Sequence, residues 1–312
     1  MGRYLIKTIL SVIPTLFGVI TIVFLLIHLA PGDPALQMAG PYATAETIQE
    51  IRKNLGLDKP LHIQYVEFVR NLIRGDLGKS IVSGEPVLLE TLRPLPYTIQ
   101  LALAGVLMSL ILGIPIGVIS AVRRNTFLDY IVRFCSISGI SIPIFFLAIL
   151  MLLLFSLKLK WFPTIGVGDT SSWTSLLRHL VLPATAIGLN NAVLNMRLTR
   201  SCMLEVLNQD YIRTARAKGL TEKTVILVHA LRNALLPIVT VVGLTMGQLL
   251  GGAILTESVF ARQGVGKLLL DAILVRDYPQ VQGTVLLFAC AVILVNVIVD
   301  ITYKFLDPRI RL

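Results

Sequence analysis

The chain has 312 residues, of which 55% are hydrophobic and only 15% charged, whereas a soluble domain of this size carries roughly a quarter charged residues. A mean hydropathy of +0.79 places it in a membrane. Its net charge of +10 sorts by membrane side, so a nucleic-acid partner is not needed to explain it.

The apolar residues gather in six runs, 9–30, 97–122, 134–157, 179–196, 234–255 and 281–301. Most reach the roughly 20 residues a helix needs to cross the hydrocarbon core. Backbone groups in lipid must be satisfied within each segment, so the expectation is an all-α membrane protein with six transmembrane helices. No linker or low-complexity tract interrupts it, and 1–312 reads as a single domain. Arg3 and Lys7 precede the first run as they would in a signal peptide. The apolar stretch is too long for one, and His28-Leu29-Ala30-Pro31 is a poor cleavage site, so a retained helix is expected.

Residues 31–96 form the first soluble-facing region. Pro31-Gly32-Asp33-Pro34 should end the first helix, since proline supplies no donor. A helix is expected from the Thr44 N-cap to Asn54, with Glu46 and Glu50 early and Gly56 as its stop. Ile63, Val66, Phe68, Leu72 and Ile73 predict another short helix, closed by Gly75-Asp76. This folded loop reads either as a structural cap or as a docking surface for an external partner.

In the second run Gly113 and Gly117, with Pro115 between them, predict a bend. The fourth run is the shortest and carries Asn190, Asn191 and Asn195; with Gln248 of the fifth run these are the candidate pathway-lining residues. Hydrogen bonding between helices is the competing role for them. Gly243, Gly247, Gly251 and Gly252 form a small-residue stripe suited to close helix packing. Asp300, near the inner end of the sixth run, is the one charged residue expected within a span.

Residues 197–233 make the second soluble-facing region. Leu204, Val206, Leu207, Tyr211, Ile212 and Ala215 recur at near-helical spacing, with Arg213, Arg216 and Lys218 on other faces. Gly219 should break this helix and Thr221 cap the next, with Pro237 at the entry to the fifth span. With both termini in the cytoplasm, Arg123, Arg124, Arg197, Arg200 and the cations of 213–223 fall inside. Seven cations of the outer side lie in the long 31–96 loop, where they count little toward orientation. A basic helical segment on the cytoplasmic side is a handle for a soluble partner.

Covalent chemistry is not expected of this chain. It has no phosphate-cradling glycine loop ending Lys-Ser/Thr, no His-Glu-x-x-His, and only scattered histidines. Cys135, Cys202 and Cys290 lack metal-ligand spacing, so no metal site is expected. An ion-coupled carrier would keep a buried titratable site or broken-helix repeats, and a scaffold would not need the basic segment or the glycine stripes.

Arg213-Thr214-Ala215-Arg216-Ala217-Lys218-Gly219, with Leu235-Leu236-Pro237 downstream, resembles the cytoplasmic coupling loop of ABC-importer permeases. The usual Glu-Ala-Ala-x-x-x-Gly is replaced here by the form typical of the dipeptide/oligopeptide/nickel branch. Pro31–Pro34, Leu55-Gly56-Leu57-Asp58-Lys59-Pro60-Leu61, Gly75-Asp76-Leu77-Gly78, Arg276-Asp277-Tyr278-Pro279 and Asp307-Pro308-Arg309-Ile310-Arg311 agree with that branch. Gln263 departs from it, standing where relatives often carry proline. The resemblance implies a type I ABC importer permease fold in a prokaryotic cytoplasmic (inner) membrane. It implies a second homologous permease, two ATPase subunits that carry ATP and magnesium, and an extracytoplasmic substrate-binding protein; this chain itself would hold no cofactor. It further implies that Tyr211, Arg213, Thr214, Ala215, Arg216, Ala217, Lys218, Gly219 and Leu220 engage the ATPase. The expected cargo is di- or oligopeptides, glutathione-like peptides included, with nickel or a metal chelate as the alternative.

Overall fold

The computed structural model describes residues 2–29, 34–39, 43–54 and 56–306. They are mostly helical, with a lone bridge between Lys79 and Pro86 and no strand among the described residues. In chain order the helices are α1 (Gly2–Leu29), α2 (Pro34–Ala39), α3 (Ala45–Asn54), α4 (Leu61–Ile73), α5 (Val87–Leu92), α6 (Leu95–Val122), α7 (Phe127–Ile140) and α8 (Ile144–Met151). A π-helical turn, Leu152–Lys158, continues α8. Then come α9 (Trp173–Leu207), α10 (Asp210–Ala217), α11 (Glu222–Thr224), a second π-helical turn (Val225–Ala230), α12 (Leu231–Gly252), α13 (Ile254–Val259), α14 (Val265–Leu274) and α15 (Tyr278–Leu306).

The described residues of the six apolar runs are mostly helical, but not as six uniform rods. By length and apolarity alone, Val87–Val122 and Tyr278–Ile298 suffice to cross a bilayer, with Glu222–Leu235 and Pro237–Gly247 as a pair bent by 44°. The third run is divided at Ser141-Ile142-Pro143, where proline has no amide hydrogen to continue the ladder of α7. Pro31, Gly32, Asp33, Leu55 and the tail 307–312 lie outside the described residues, as do the side chains of Pro34, Gln248 and Asp300.

The chain divides into two compact units, Met1–Pro96 with Gly264–Ile293, and Tyr97–Gln263 with Leu294–Leu312. In the first, the expected loop helices are present. Thr44 Oγ1 accepts from the Thr47 amide at 3.3 Å and starts α3, and α4 ends in the turn at Arg74-Gly75. Phe24 of α1 packs edge-on against Tyr65 of α4 at 5.2 Å between ring centroids, and Thr21 shares a 2.8 Å hydrogen bond with the Tyr65 hydroxyl. Asp277 is buried at the head of α15, where it accepts from the Gln280 amide at 3.2 Å. Its other oxygen accepts from the Ser80 hydroxyl and from the Val82 amide, pinning the 78–86 turn to α15. Gln280 donates to Thr91 at 3.1 Å and to Thr284 at 3.0 Å, which ties in α5.

The second unit is organised on α6 and α9. The glycines of α6 do not break it: the helix runs through Pro115 unbroken, and Gly105, Ser109, Gly113 and Gly117 form a ladder at four-residue steps against α9. A Cβ on Gly113 would lie 2.8 Å from the Ala192 carbonyl, and one on Gly117 2.7 Å from that of Met196. Gly188 of α9 is equally close, 2.6 Å from Met108 Cβ. The opposite edge of α6 exposes Leu103, Leu107 and Ile111, of which Leu107 is 58% exposed. A row of exposed aliphatic side chains on a folded helix belongs against lipid. Of the stripe expected at Gly243, Gly247, Gly251 and Gly252, Gly243 and Gly247 are buried in α12, which packs along α9.

Candidate functional site

The basic segment expected to meet a soluble partner is a short amphipathic helix, α10, not a continuation of α9. The two are separated at Asn208-Gln209, and Asp210 stands in the first turn of α10, where its charge complements the helix dipole. Ile212 and Ala215 point inward. They join a buried cluster with Val118 and Ala121 of α6, Met203 of α9, Val225 and Ala230 of the π-helical turn, and Ala234 of α12. Ala215 therefore faces the helical body instead of an outside partner. Tyr211, Arg213, Thr214, Arg216, Ala217 and Lys218 remain exposed, as do Gly219 and Leu220 at the tip.

Gly219 has φ +77°, in the left-handed region, and its amide donates to Arg216 O at 2.9 Å as a helix C-terminal cap does. Thr221 caps α11 by accepting from the Thr224 amide at 3.4 Å, as the sequence predicts. Arg216 reaches across the turn to Glu222 at 2.7 Å, and Asn233 donates to the Tyr211 hydroxyl at 2.7 Å. The tip is thus presented on two helices clipped together. A Cβ on Gly219 would meet nothing within 4 Å, so only backbone conformation restricts that position. Gly219→Asn is expected to leave thermal stability nearly unchanged, because asparagine tolerates this region. Gly219→Val should destabilise by about 1–2 kcal/mol, read by thermal unfolding in detergent.

Of the four polar residues proposed to line a pathway, Asn190, Asn191 and Asn195 have described side chains, and each makes a different contact. Asn195 is 1% exposed and donates to Ser109 Oγ at 3.0 Å, so it joins α9 to α6 within the glycine seam. Asn191 donates to the Ile187 carbonyl of its own helix at 3.0 Å. Asn190 lines a cavity of about 440 Å³ between α6, α7, α8 and α9, whose walls include Leu112, Val132, Leu147 and Met196. Gln248 lies on α12, its side chain beyond the described residues.

Three buried charges escaped the sequence reading. Glu257 on α13 is fully buried and accepts from the Thr98 hydroxyl at 2.7 Å. Arg262 is 1% exposed, lies 3.5 Å from Gln100 through Nη2, and leaves Nε and Nη1 without a partner. Burial pushes its guanidinium down from the usual range, and the neighbouring Glu257 charge opposes this. Asp129 at the start of α7 is fully buried as well; hydrogen bonds from Arg200 hold its carboxyl well below the usual carboxylate range. The available signal was an acid and a base flanking an apolar stretch, Glu257-Ser258-Val259-Phe260-Ala261-Arg262.

The second unit is thus a helical body packed along a glycine seam, with the amphipathic α10 seated against residues of α6, α9 and α12. The chain matches "Binding-protein-dependent transport system inner membrane component" over residues 113–312 and "Binding-prot-dependent transport system membrane comp, N-term" over residues 1–102. It is 44% identical over 311 residues to the glutathione transport system permease protein GsiC of Escherichia coli O6:H1, covering 100% of this chain and 99% of that one. Identity to the protein of the same name from Salmonella choleraesuis is 43%, with the same coverage. Among solved structures, an inward-facing conformation of the MetNI methionine ABC transporter (native crystal form) aligns with a TM-score of 0.54 at 19% identity, covering 72% of this chain and 99% of that chain. A second crystal form of that transporter gives 0.56 at 20%, covering 69% and 95%. The chain belongs to the binding-protein-dependent transport system inner membrane component family: it is a permease subunit of an ABC importer.

Proposed function

We propose that this permease forms half of the translocation pathway for small peptides, glutathione among them, in the cytoplasmic membrane of a prokaryote. The cargo rests on relatives at 43–44% identity over the whole chain that are named as glutathione transport permeases. A second, homologous permease supplies the other half. Six spans run with both termini in the cytoplasm, and an extracytoplasmic binding protein delivers cargo to the loop that follows α1. Two ATPase subunits bind ATP and magnesium and do the hydrolysis.

One observation carries the coupling part of this reading. α10 buries Ile212 and Ala215 against the ends of α6, α9 and α12 while Arg213, Thr214, Arg216, Ala217 and Lys218 stay exposed. A short helix held on one side by the membrane body and free on the other is shaped to enter a groove on a soluble motor. The exposed cations set orientation at the rim of that contact more than its strength. Closing of the motor displaces α10, and the spans rock between outward- and inward-open states.

The test is to tag the chain, solubilise native membranes gently, and identify what co-purifies by mass spectrometry. Two ATPase subunits and a second permease are expected, with glutathione uptake lost from cells lacking the chain. Recovery of the chain alone, under conditions that keep other transporters assembled, overturns the partner assignment. Unimpaired uptake overturns the cargo.

A further inference from the structure

Asp129 takes no part in the contact between α10 and the membrane body, yet it is bound to the same two helix ends. On α6, Ser120 lies between Val118 and Ala121 of the cluster that seats α10; on α9, Arg200 stands one turn before Met203 of that cluster. Both side chains converge on Asp129. Its Oδ1 accepts from the Ser120 hydroxyl and from Arg200 Nε at 2.9 Å. Its Oδ2 accepts from Arg200 Nη2 at 3.0 Å and from the Asn125 amide at 3.1 Å, and forms an ion pair with Arg133 Nη2 at 3.2 Å. One buried carboxylate thus ties α6, α7 and α9 together.

Starting α7 needs less than this. The Asn125 amide and the Ser120 hydroxyl would anchor a short connection by themselves. The two-pronged contact from Arg200 fixes distance and angle, which apolar packing does not. Beyond α7 the chain passes through Ser141-Ile142-Pro143 into α8, which packs on α9 and α13. A displacement of the α6 and α9 ends is therefore passed on to α7 through a directional joint.

We propose that the Asp129–Arg200–Ser120 network transmits the displacement of α10 to the third span, making Asp129 and Arg200 positioning residues for coupled transport. This rests on the reading of α10 as the segment that meets the ATPase. A merely static clip would contribute to stability alone, and the two roles differ in what responds to nucleotide.

Cys135, exposed on α7, is a native reporter. The complex is purified through a tag on this chain, and modification of Cys135 by a small maleimide is followed by peptide mass spectrometry, nucleotide-free and trapped with ATP and vanadate. In the unaltered complex trapping is expected to change the Cys135 rate by about threefold or more. The double variant Asp129→Asn/Arg200→Gln leaves no lone buried charge. It should assemble and hydrolyse ATP within about twofold of the unaltered complex while the Cys135 response disappears. The reversed pair Asp129→Arg/Arg200→Asp should regain part of it. A Cys135 response that persists in the double variant overturns the proposal, as does no response in the unaltered complex. So does loss of hydrolysis in step with loss of assembly, which marks a static clip. A photo-reactive amino acid in place of Arg213 separates the two levels. Absence of crosslinks to the ATPase overturns the reading of α10 and the joint with it, whereas crosslinks alongside a persisting Cys135 response overturn the joint alone.

Discussion

Replacing Gly117 with leucine is expected to prevent the helical unit from assembling. The reason is backbone proximity: a Cβ there would stand 2.7 Å from both the Met196 carbonyl oxygen and Thr199 Cβ. Neither is the loose end of a flexible side chain, so α6 and α9 would have to part along their seam. Within lipid the hydrophobic effect does not press helices together, and association depends on close packing and interhelical hydrogen bonds. Parting them also stretches the 3.0 Å bond between Asn195 and Ser109, leaving Asn195 poorly paired in the interior. Gly117→Ala should already cost about 1–3 kcal/mol, the range for overpacking a close-packed site. Gly117→Leu should give little folded protein. Gly18 of α1 is the control, because a Cβ there meets nothing within 4 Å; Gly18→Ala should be neutral or gain up to about 1 kcal/mol from helix propensity. Thermal unfolding in detergent, with recovery of monodisperse protein, decides between these outcomes. If Gly117→Leu folds as well as Gly18→Ala, the seam is not where the two helices are held.

Where local chemistry governs, the fold was legible. Thr44 and Thr221 each start a helix because a hydroxyl at that position satisfies an otherwise free amide. Gly219 closes α10 because its φ is positive. What could not be read is which face of an apolar run meets which partner. The runs around Gly113 and Gly243 both carry small residues at helical spacing, and nothing local states that α6 is the one whose ladder abuts α9. Helical spacing also does not reveal where a helix stops and restarts. The apolar positions from Leu204 to Ala215 keep near-helical spacing across Asn208-Gln209, although the chain turns there and restarts as α10.

At the candidate site the same division holds. The sequence marks out residues 211–220 because charge and helical period coincide there. It cannot tell that Ala215 turns inward, since that depends on Val118 and Met203 arriving from other helices. The asparagines stand out as polar within apolar runs, and Asn195 makes an interhelical bond to Ser109. Glu257 and Arg262 lie just past the fifth run, and the sequence analysis does not single them out. Their burial arises from α13 packing on α8 and α9, a long-range event.

Removing one of these two neighbouring buried charges should be the most damaging single change outside the glycine seam. Glu257→Ala removes the acid beside a guanidinium that is 1% exposed and already has Nε and Nη1 unpartnered. An uncompensated buried charge left by such a truncation costs about 3–5 kcal/mol. Thr98 also loses the 2.7 Å acceptor for its hydroxyl. Arg262→Met is expected to be comparably harmful, since it removes the cation beside the buried Glu257 carboxylate. The pair itself need not add much stability, because desolvating two ions offsets most of their attraction. Glu257→Gln/Arg262→Met together should therefore recover most of what either single change loses, with a coupling of about 2 kcal/mol or more in a double-mutant cycle. Thermal unfolding of the four proteins in one detergent supplies the cycle. Additive losses would mean that Glu257 and Arg262 are buried independently, each held by its own neighbours. A strongly favourable coupling would place the pair among the contacts that keep α13 seated on α8 and α9.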